Sequence, residues 1–321
     1  MTKPEITTHY RVCHLCEAMC GLVIKTEGDA VVDIRGDKND PLSRGHVCPK
    51  SVALKDIHED PDRLRKPLKR IRSNAGHYEH VEIEWCEALD LAADALAKTI
   101  QTHGVDAVGA YFGNPSVHNY GMLTHQKNLF RHIRTRNRFS ATSVDQLPHH
   151  LISMWCFGHM LLHPIPDVDR THYFLMLGAN PLASNGSIWT VPDVRKRLKA
   201  LTARGGKLVV VDPRRTETAE LASEHLFIRP GSDAAFLLAL IHVLFRDNRV
   251  APGKLAEFTD GLEDVRDAVQ SLSPDWASQI TGIATSDIER IAQELADAET
   301  AICYGRMGVS TQAYGALCQW A

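Results

Sequence analysis

Four cysteines crowd the first 48 residues in the spacing Cys13-x2-Cys16-x3-Cys20-x27-Cys48, and Pro49 follows the last directly. Between the third and the fourth, residues 21–35 read as two short strands about a Gly28-Asp29 turn. A polar loop from Gly36 to Gly45 then returns the chain to Cys48. The result is a small hairpin module wrapped around four thiols. Four thiolates, three on one loop and one brought back by a hairpin, can hold a cubane iron–sulfur cluster. Structural zinc prefers two Cys-x-x-Cys or His pairs, and the second half here offers a single Cys48. His14 and His46 could replace a thiolate, although four cysteines already suffice. Zinc and unliganded core cysteines stay open as alternatives. The other cysteines, Cys86, Cys156, Cys303 and Cys318, are scattered and are expected to be buried small apolar residues.

Composition excludes several function classes. The formal net charge is −3 and no long basic block occurs, so nothing recommends a nucleic-acid partner. No run of 18 apolar residues marks a membrane span. The N-terminus, Met1-Thr2-Lys3-Pro4-Glu5, is polar and lacks the apolar stretch of a secretory signal, and no twin arginine precedes Cys13. A cytoplasmic location is expected. Cysteines in such a chain argue for metal or redox chemistry rather than disulfides. At 321 residues the chain is long enough for two or three domains.

Along the chain, Glu59 to Arg72 reads as a charged surface connector. A helix is expected from about Trp85 to Gln101, with Ala88, Leu89, Leu91, Ala92, Ala95, Leu96 and Ile100 as its apolar stripe. Val105 to Phe112 reads as a strand ending in a Gly113-Asn114-Pro115 turn. From Tyr173 the pattern alternates. Tyr173–Leu177, Leu208–Val211 and Leu226–Ile228 read as strands, with helices over Pro192–Ala203 and from Asp233 through Phe245. That alternation predicts an α/β fold with a doubly wound parallel sheet. The apolar helical pattern of Tyr314, Leu317, Cys318 and Trp320 stops at Ala321 without a cap, which suggests a fragment of a longer chain.

Each expected strand ends in a segment suited to a ligand. Ligands in open α/β sheets sit at the carboxyl ends of strands, near helix N-termini that favour anions. Gly178-Ala179-Asn180-Pro181 permits close backbone approach to a pyrophosphate. Asp212-Pro213-Arg214-Arg215 places an acid where a ribose or purine edge is read. Arg229-Pro230-Gly231-Ser232-Asp233 follows the third strand. No Gly-x-Gly-x-x-Gly occurs. Taken singly, Asp212 and Asp233 could be helix N-caps and the arginines a solvated pair; their repetition at three strand ends favours a site.

With these residues in view, the chain resembles the dimethyl sulfoxide reductase superfamily. These are the bis-molybdopterin-guanine-dinucleotide oxidoreductases that include formate dehydrogenases and cytoplasmic nitrate reductases. Cys13, Cys16, Cys20 and Cys48 match the family's cluster motif in spacing and position. Lys50, in Cys48-Pro49-Lys50, matches the lysine that lies between cluster and pterin. The three strand-end segments look like the dinucleotide-binding segments, which makes Gly178, Asn180, Pro181, Asp212, Arg214, Arg229, Gly231 and Asp233 the expected cofactor-binding residues. Gly305-Arg306-Met307-Gly308 looks like a further pterin-lining turn, with Gly305 and Met307 as candidates.

The resemblance implies a [4Fe–4S] cluster, molybdopterin guanine dinucleotide (bis-MGD in the full-length protein) and molybdenum or tungsten. It implies two-electron chemistry on a small-molecule substrate, and a redox partner protein or electron-transfer subunit. It further implies a cluster domain over 1–65, an incomplete α/β domain over 66–139 plus 301–321, and a dinucleotide-binding α/β domain over 140–300. The C-terminal pterin-binding domain would be absent. A non-catalytic iron–sulfur subunit of a respiratory complex, which keeps the fold without the pterin, is the alternative, and a hydratase relative a third reading. Retention of the dinucleotide segments separates the first reading from the second.

The chain departs from its relatives at the metal. Formate dehydrogenases and cytoplasmic nitrate reductases place a cysteine or selenocysteine in the loop corresponding to Ser140–Gly158. Here the only thiol of that loop is Cys156, beside Phe157-Gly158 and past the usual ligand position, and the stretch after Asp145 is several residues short. Cys156 is expected to be core. Asp145, His149 and His150 are the polar residues left to face the metal, with Asp145, or a solvent oxygen held by His149, as ligand. The histidines could instead move protons. Lys50, Asp145 and His149 are thus the catalytic candidates.

Overall fold

The computed structural model describes residues 5–73, 76–113 and 115–321. The N-terminal residues Met1–Pro4 and Asn114 of the expected turn lie outside them. The chain divides into two compact units, residues up to Ala141 and Thr142–Ala321.

The first unit opens on a three-stranded antiparallel sheet of β1 (Ile6–Val12), β2 (Gly21–Glu27) and β3 (Ala30–Gly36). The expected hairpin about Gly28-Asp29 is present. The leading strand β1 escapes the sequence reading because Ile-Thr-Thr-His-Tyr-Arg-Val carries little apolar alternation, and six of its seven residues are exposed. Leu22 and Ile34 turn inward and pack with Cys13, Ala18 and Cys20.

The expected connector ends instead in β4 (Leu68–Arg72), paired antiparallel with β5 (Tyr78–Glu82). Charge hides this hairpin from a hydrophobic-period search. It is held by the ladder, by Arg70 over the Tyr78 ring at 4.6 Å, and by the Lys66–Glu84 and Lys69–Glu87 pairs. The expected helix runs from Trp85 to His103. Its inner residues Leu96 and Ile100 pack on Val108, Phe130 and Ile133, while Leu89 and Leu91 stay exposed. Only Ala110–Phe112 of the next expected strand pairs as a strand. It forms β6, parallel to β7 (Arg138–Ser140). Val105–Ala107 coils into a 3-10 turn, because Asp106 accepts from the Arg136 N–H at 2.9 Å and draws that segment across.

The second unit is built on a parallel sheet of order β10-β9-β8-β11, comprising β8 (Tyr173–Leu177), β9 (Lys207–Val211), β10 (Glu224–Leu226) and β11 (Ala301–Gly305). β8 is buried along its whole length and β9 beyond Lys207, hence their continuous apolar sequences. Alternate residues serve opposite faces. Leu175, Leu177, Val209 and Val211 pack toward the helices Asp233–Arg246 and Thr285–Asp297. Phe174, Met176, Leu208 and Val210 pack toward Leu198 and Leu201 of the helix Val194–Ala203. Helices on both faces make the sheet doubly wound, as the sequence implies.

Three expectations are corrected in this unit. The third strand is Glu224–Leu226 rather than Leu226–Ile228: Phe227 points to solvent and the Arg229 N–H already bonds to the Thr281 carbonyl. Residues 301–321, expected with 66–139, fall within the second unit, where β11 pairs with β8 throughout its length. The Ser140–Gly158 segment is chiefly helical, a 3-10 turn over Ala141–Val144 followed by the helix Leu147–Phe157. That helix buries His150, Ile152 and Ser153. Its last turn leaves Met154, Trp155, Cys156 and Phe157 exposed, contrary to the core role expected of Cys156. Of the other scattered cysteines, Cys86 and Cys303 are exposed and only Cys318 is buried.

Candidate functional site

Strand order reverses at β8: the chain winds from β8 to β9 and β10 on one side, and β11 returns on the other. The crevice outside the carboxyl ends at such a switch point is where open α/β sheets take ligands. Gly178 follows β8, and Arg306-Met307-Gly308 follows β11. The two turns cross in contact, the Gly308 N–H donating to the Gly178 carbonyl at 2.9 Å. A Cβ on Gly178 would stand 2.8 Å from the Gly308 Cα, and Gly178 has φ +53, so the crossing excludes any larger residue.

This crossing walls a cavity of about 800 Å³. Its lining brings together all three strand-end segments, including Gly178, Asn180, Asp212, Arg214, Gly231 and Asp233, and adds Asp145, Arg306 and Met307. Asp233 opens the 14-residue helix Asp233–Arg246. Burial, with Asp212 nearby, raises its carboxyl above the usual range, and the Gln312 amide that donates to it at 2.9 Å offsets this only in part. One oxygen of Asp212 accepts from the Arg214 N–H at 2.8 Å. Asn180 is a strut between segments: its Oδ1 accepts from the Thr218 hydroxyl at 2.8 Å and its amide donates to Glu217 at 2.6 Å.

Arg306 is the residue that sequence reasoning missed. Its side chain is buried, donates from Nη1 to Asp145 Oδ1 and from Nη2 to Ser187 Oγ, both at 2.6 Å, and leaves Nε without a partner. Gln312 Oε1 is likewise buried and unpaired. Both residues line the cavity. Unpaired buried polar atoms at a roomy mouth fit a polar ligand that supplies their partners. Gly308 within Gly305-Arg-Met-Gly308 was the sequence signal for this turn.

Other expected residues fall elsewhere. Pro181 is buried at the first turn of the helix Pro181–Ser184. Arg229 turns its guanidinium onto the Gln279 and Ile280 carbonyls and does not line the cavity. The Gly305 carbonyl accepts from His149 Nε2 at 3.0 Å. His149, Gly305 and Cys156 line a separate, smaller cavity of about 250 Å³ with His163. Because its Nε2 donates to a carbonyl, His149 Nδ1 is the acceptor for the Ser310 hydroxyl at 3.2 Å. Burial, with Arg306, His163 and His150 nearby, pushes its pKa down to about 4. His149 is thus neutral near pH 7 with both nitrogens engaged. His150 Nδ1 donates to the Met160 carbonyl at 2.9 Å.

In the first unit Cys13 and Cys20 are buried and Cys16 and Cys48 half-buried. The Cys13 N–H donates to the Cys20 carbonyl at 2.9 Å, closing the three-cysteine loop. Ser51, itself buried, has its hydroxyl 2.9 Å from Cys13 Sγ and 3.9 Å from Cys48 Sγ. Burial, with Cys13, Cys16 and Cys48 nearby, raises Cys20 to about 11. Burial also raises Cys48, but the Ser51 and Lys50 N–H groups, the Ser51 hydroxyl and the Lys50 charge outweigh it and leave the pKa lowered. Among the described residues no three Cys, His, Asp or Glu side chains close on a single ion. Cys13 and Cys20 belong to an apolar cluster against which Cys16 packs, and four thiols so gathered suit a cluster whose own irons and sulfides space its ligands. Lys50 is exposed.

The family profile "Molybdopterin oxidoreductase Fe4S4 domain" matches residues 6–59, and "Molybdopterin oxidoreductase" matches residues 63–314. A probable oxidoreductase, YoaE, of Bacillus subtilis is 28% identical over 311 residues, covering 94% of this chain and 43% of that protein. Formate dehydrogenase H of Escherichia coli is 29% identical over 311 residues, with 94% and 42% covered. Among solved structures, acetylene hydratase from Pelobacter acetylenicus superposes with a TM-score of 0.77 at 25% identity, over 97% of this chain and 42% of the other. The chain therefore spans less than half the length of these relatives. With both profiles matched in order and most of its length covered, the chain belongs to the molybdopterin oxidoreductase family and carries that family's Fe4S4 domain ahead of its α/β unit.

Proposed function

We propose that the full-length protein is a molybdenum- or tungsten-pterin oxidoreductase that carries out two-electron chemistry on a small substrate and relays the electrons through a [4Fe–4S] cluster to a redox partner. The observation that carries this reading is the cavity of about 800 Å³ at the β8–β11 switch point, lined by all three strand-end segments. A non-catalytic relative without the pterin has no use for that lining. When bound, the metal–pterin centre supplies two-electron exchange at the substrate.

The chain's own residues supply placement and charge. Asp212 and Asp233 accept from the guanine or ribose end of the dinucleotide, charge-assisted where ionised. Arg214, exposed at the rim beside Glu217, is positioned for the charged linker, for which its planar fork is suited. Arg229, tied to backbone carbonyls, contributes by fixing the turn before Gly231 rather than by contact. Asp145 lines the same cavity and Cys156 does not, which supports a carboxylate rather than a thiolate facing the metal. His149, neutral and engaged at both nitrogens, positions the turn after β11. Lys50 balances the charge of the thiolate cluster.

Elemental analysis of the full-length protein tests the reading. Iron together with molybdenum or tungsten is expected; iron alone would favour a pterin-free electron-transfer subunit. The likeness to acetylene hydratase keeps a non-redox hydratase as a second reading. Substrate-dependent reduction of an artificial acceptor separates the two.

A further inference from the structure

The first unit holds a cavity that the site described above does not use. It measures about 740 Å³ and opens between the β1–β2–β3 sheet and the helix Leu54–Glu59. The floor is apolar, made by Leu22, Ile24, Val31, Ile34, Leu54 and Ile57. Leu22 and Ile34 belong to the same hydrophobic cluster as Cys13 and Cys20, and Ile24, Val31 and Leu54 pack against it. A single layer of side chains is thus shared by the cavity and the thiol ring. Ile57 is 60% exposed.

The rim has the opposite character. Arg11 and Arg63 stand there with Asp60 and Asp62. Arg63 Nη1 bonds to His58 Nδ1 at 3.1 Å and to the His58 carbonyl at 3.5 Å, and Arg11 Nη1 to the Tyr10 carbonyl at 2.7 Å. Each guanidinium keeps further N–H donors. Asp60 accepts from the Asp62 N–H at 2.8 Å and keeps a second oxygen. An apolar floor with a few convergent polar groups, within the range of about 300–1,000 Å³, is the ordinary form of a small-molecule site.

We infer that this cavity binds a naphthoquinone-type acceptor and brings it within one side-chain layer of the cluster, an inference that rests on the reading of the four cysteines as cluster ligands. A fused apolar bicycle suits the floor. Its carbonyl oxygens accept from the guanidinium N–H groups, and after reduction its hydroxyls donate to the aspartates, so the mixed rim serves both states. The quinone takes two electrons, delivered singly by the cluster, which is reoxidised each time. Two protons from solvent at the open mouth complete the hydroquinone. The electrons are those removed from the substrate.

The test uses the full-length protein, anaerobically prepared, and the variants Ile57→Asp and Arg63→Ala. Menadione is the probe. Equilibrium dialysis reads binding, and the visible absorbance of the dithionite-reduced cluster reads its reoxidation. Saturable binding is expected, weakened at least tenfold in Ile57→Asp and less in Arg63→Ala, with reoxidation saturating at the same menadione concentration as binding. Iron content and the cluster spectrum test the cysteine reading separately. An intact cluster with no saturable binding, or binding equal in wild type and Ile57→Asp, overturns the proposal while leaving that reading in place.

Discussion

Arg306 donates from Nη1 to Asp145 Oδ1 at 2.6 Å, joining residues 161 positions apart across the mouth of the strand-end cavity. The guanidinium is almost wholly buried and the carboxylate about a third exposed, so the arginine depends on the pair more than the aspartate does. Removing one partner of a fully buried pair costs about 3–5 kcal/mol. Partial exposure of Asp145 reduces this, and Arg306→Met is expected to cost about 2 kcal/mol in urea denaturation. The double variant with Asp145→Leu should recover part of that loss. A single variant as stable as wild type would show that the pair contributes nothing.

His149 makes stability pH-dependent. Its folded pKa, about 4, lies below the unfolded value of about 6.5. Its contribution is therefore complete above about pH 6.5 and lost as the pH falls through about 4. The difference corresponds to on the order of 3 kcal/mol. Urea midpoints measured across that window should fall with acidification in the wild type and less steeply in His149→Gln. Parallel slopes would contradict the assignment.

Gly178 and Gly205 form a matched pair of tests. Both have positive φ, but a Cβ on Gly205 meets nothing within 4 Å, whereas one on Gly178 meets the Gly308 backbone. Gly205→Ala should cost about 1 kcal/mol from backbone strain alone. Gly178→Ala adds overpacking and should cost at least about 2 kcal/mol more. Equal urea midpoints for the two variants would mean that the strand-end crossing yields easily.

Cys13→Ala, Cys16→Ala, Cys20→Ala and Cys48→Ala should each remove the broad visible absorbance of a thiolate-bound iron cluster. Lys50→Met should leave iron content intact and slow reduction of the cluster by substrate. Stoichiometric zinc without iron in anaerobically prepared protein would refute the cluster assignment.

What could be read from the sequence follows from burial. β8 and β9 are covered on both faces, so their residues form unbroken apolar runs with sharp ends. β1, β4 and β5 are solvent-facing, and Thr, His, Arg and Glu occupy their positions at no cost, which erases the period-two signal. Gly178 and Asp212 were legible because each sits directly after a recognisable strand. Arg306 was not, because its role exists only once β11 lies against β8, a pairing set across more than a hundred residues. The Met154–Phe157 run misled for a related reason: an apolar stretch records that a surface is to be covered, not that this part of the chain covers it.

The central claim is that the strand-end cavity holds a pterin guanine dinucleotide. Guanine nucleotide and oxidised pterin released by acid from the full-length protein, wild type and Asp212→Ala, test it most directly. The account predicts both compounds from the wild type and a severalfold loss of both in the variant, whose remaining fold should be unaltered by circular dichroism. Neither compound from the wild type, or equal amounts from wild type and variant, would contradict it.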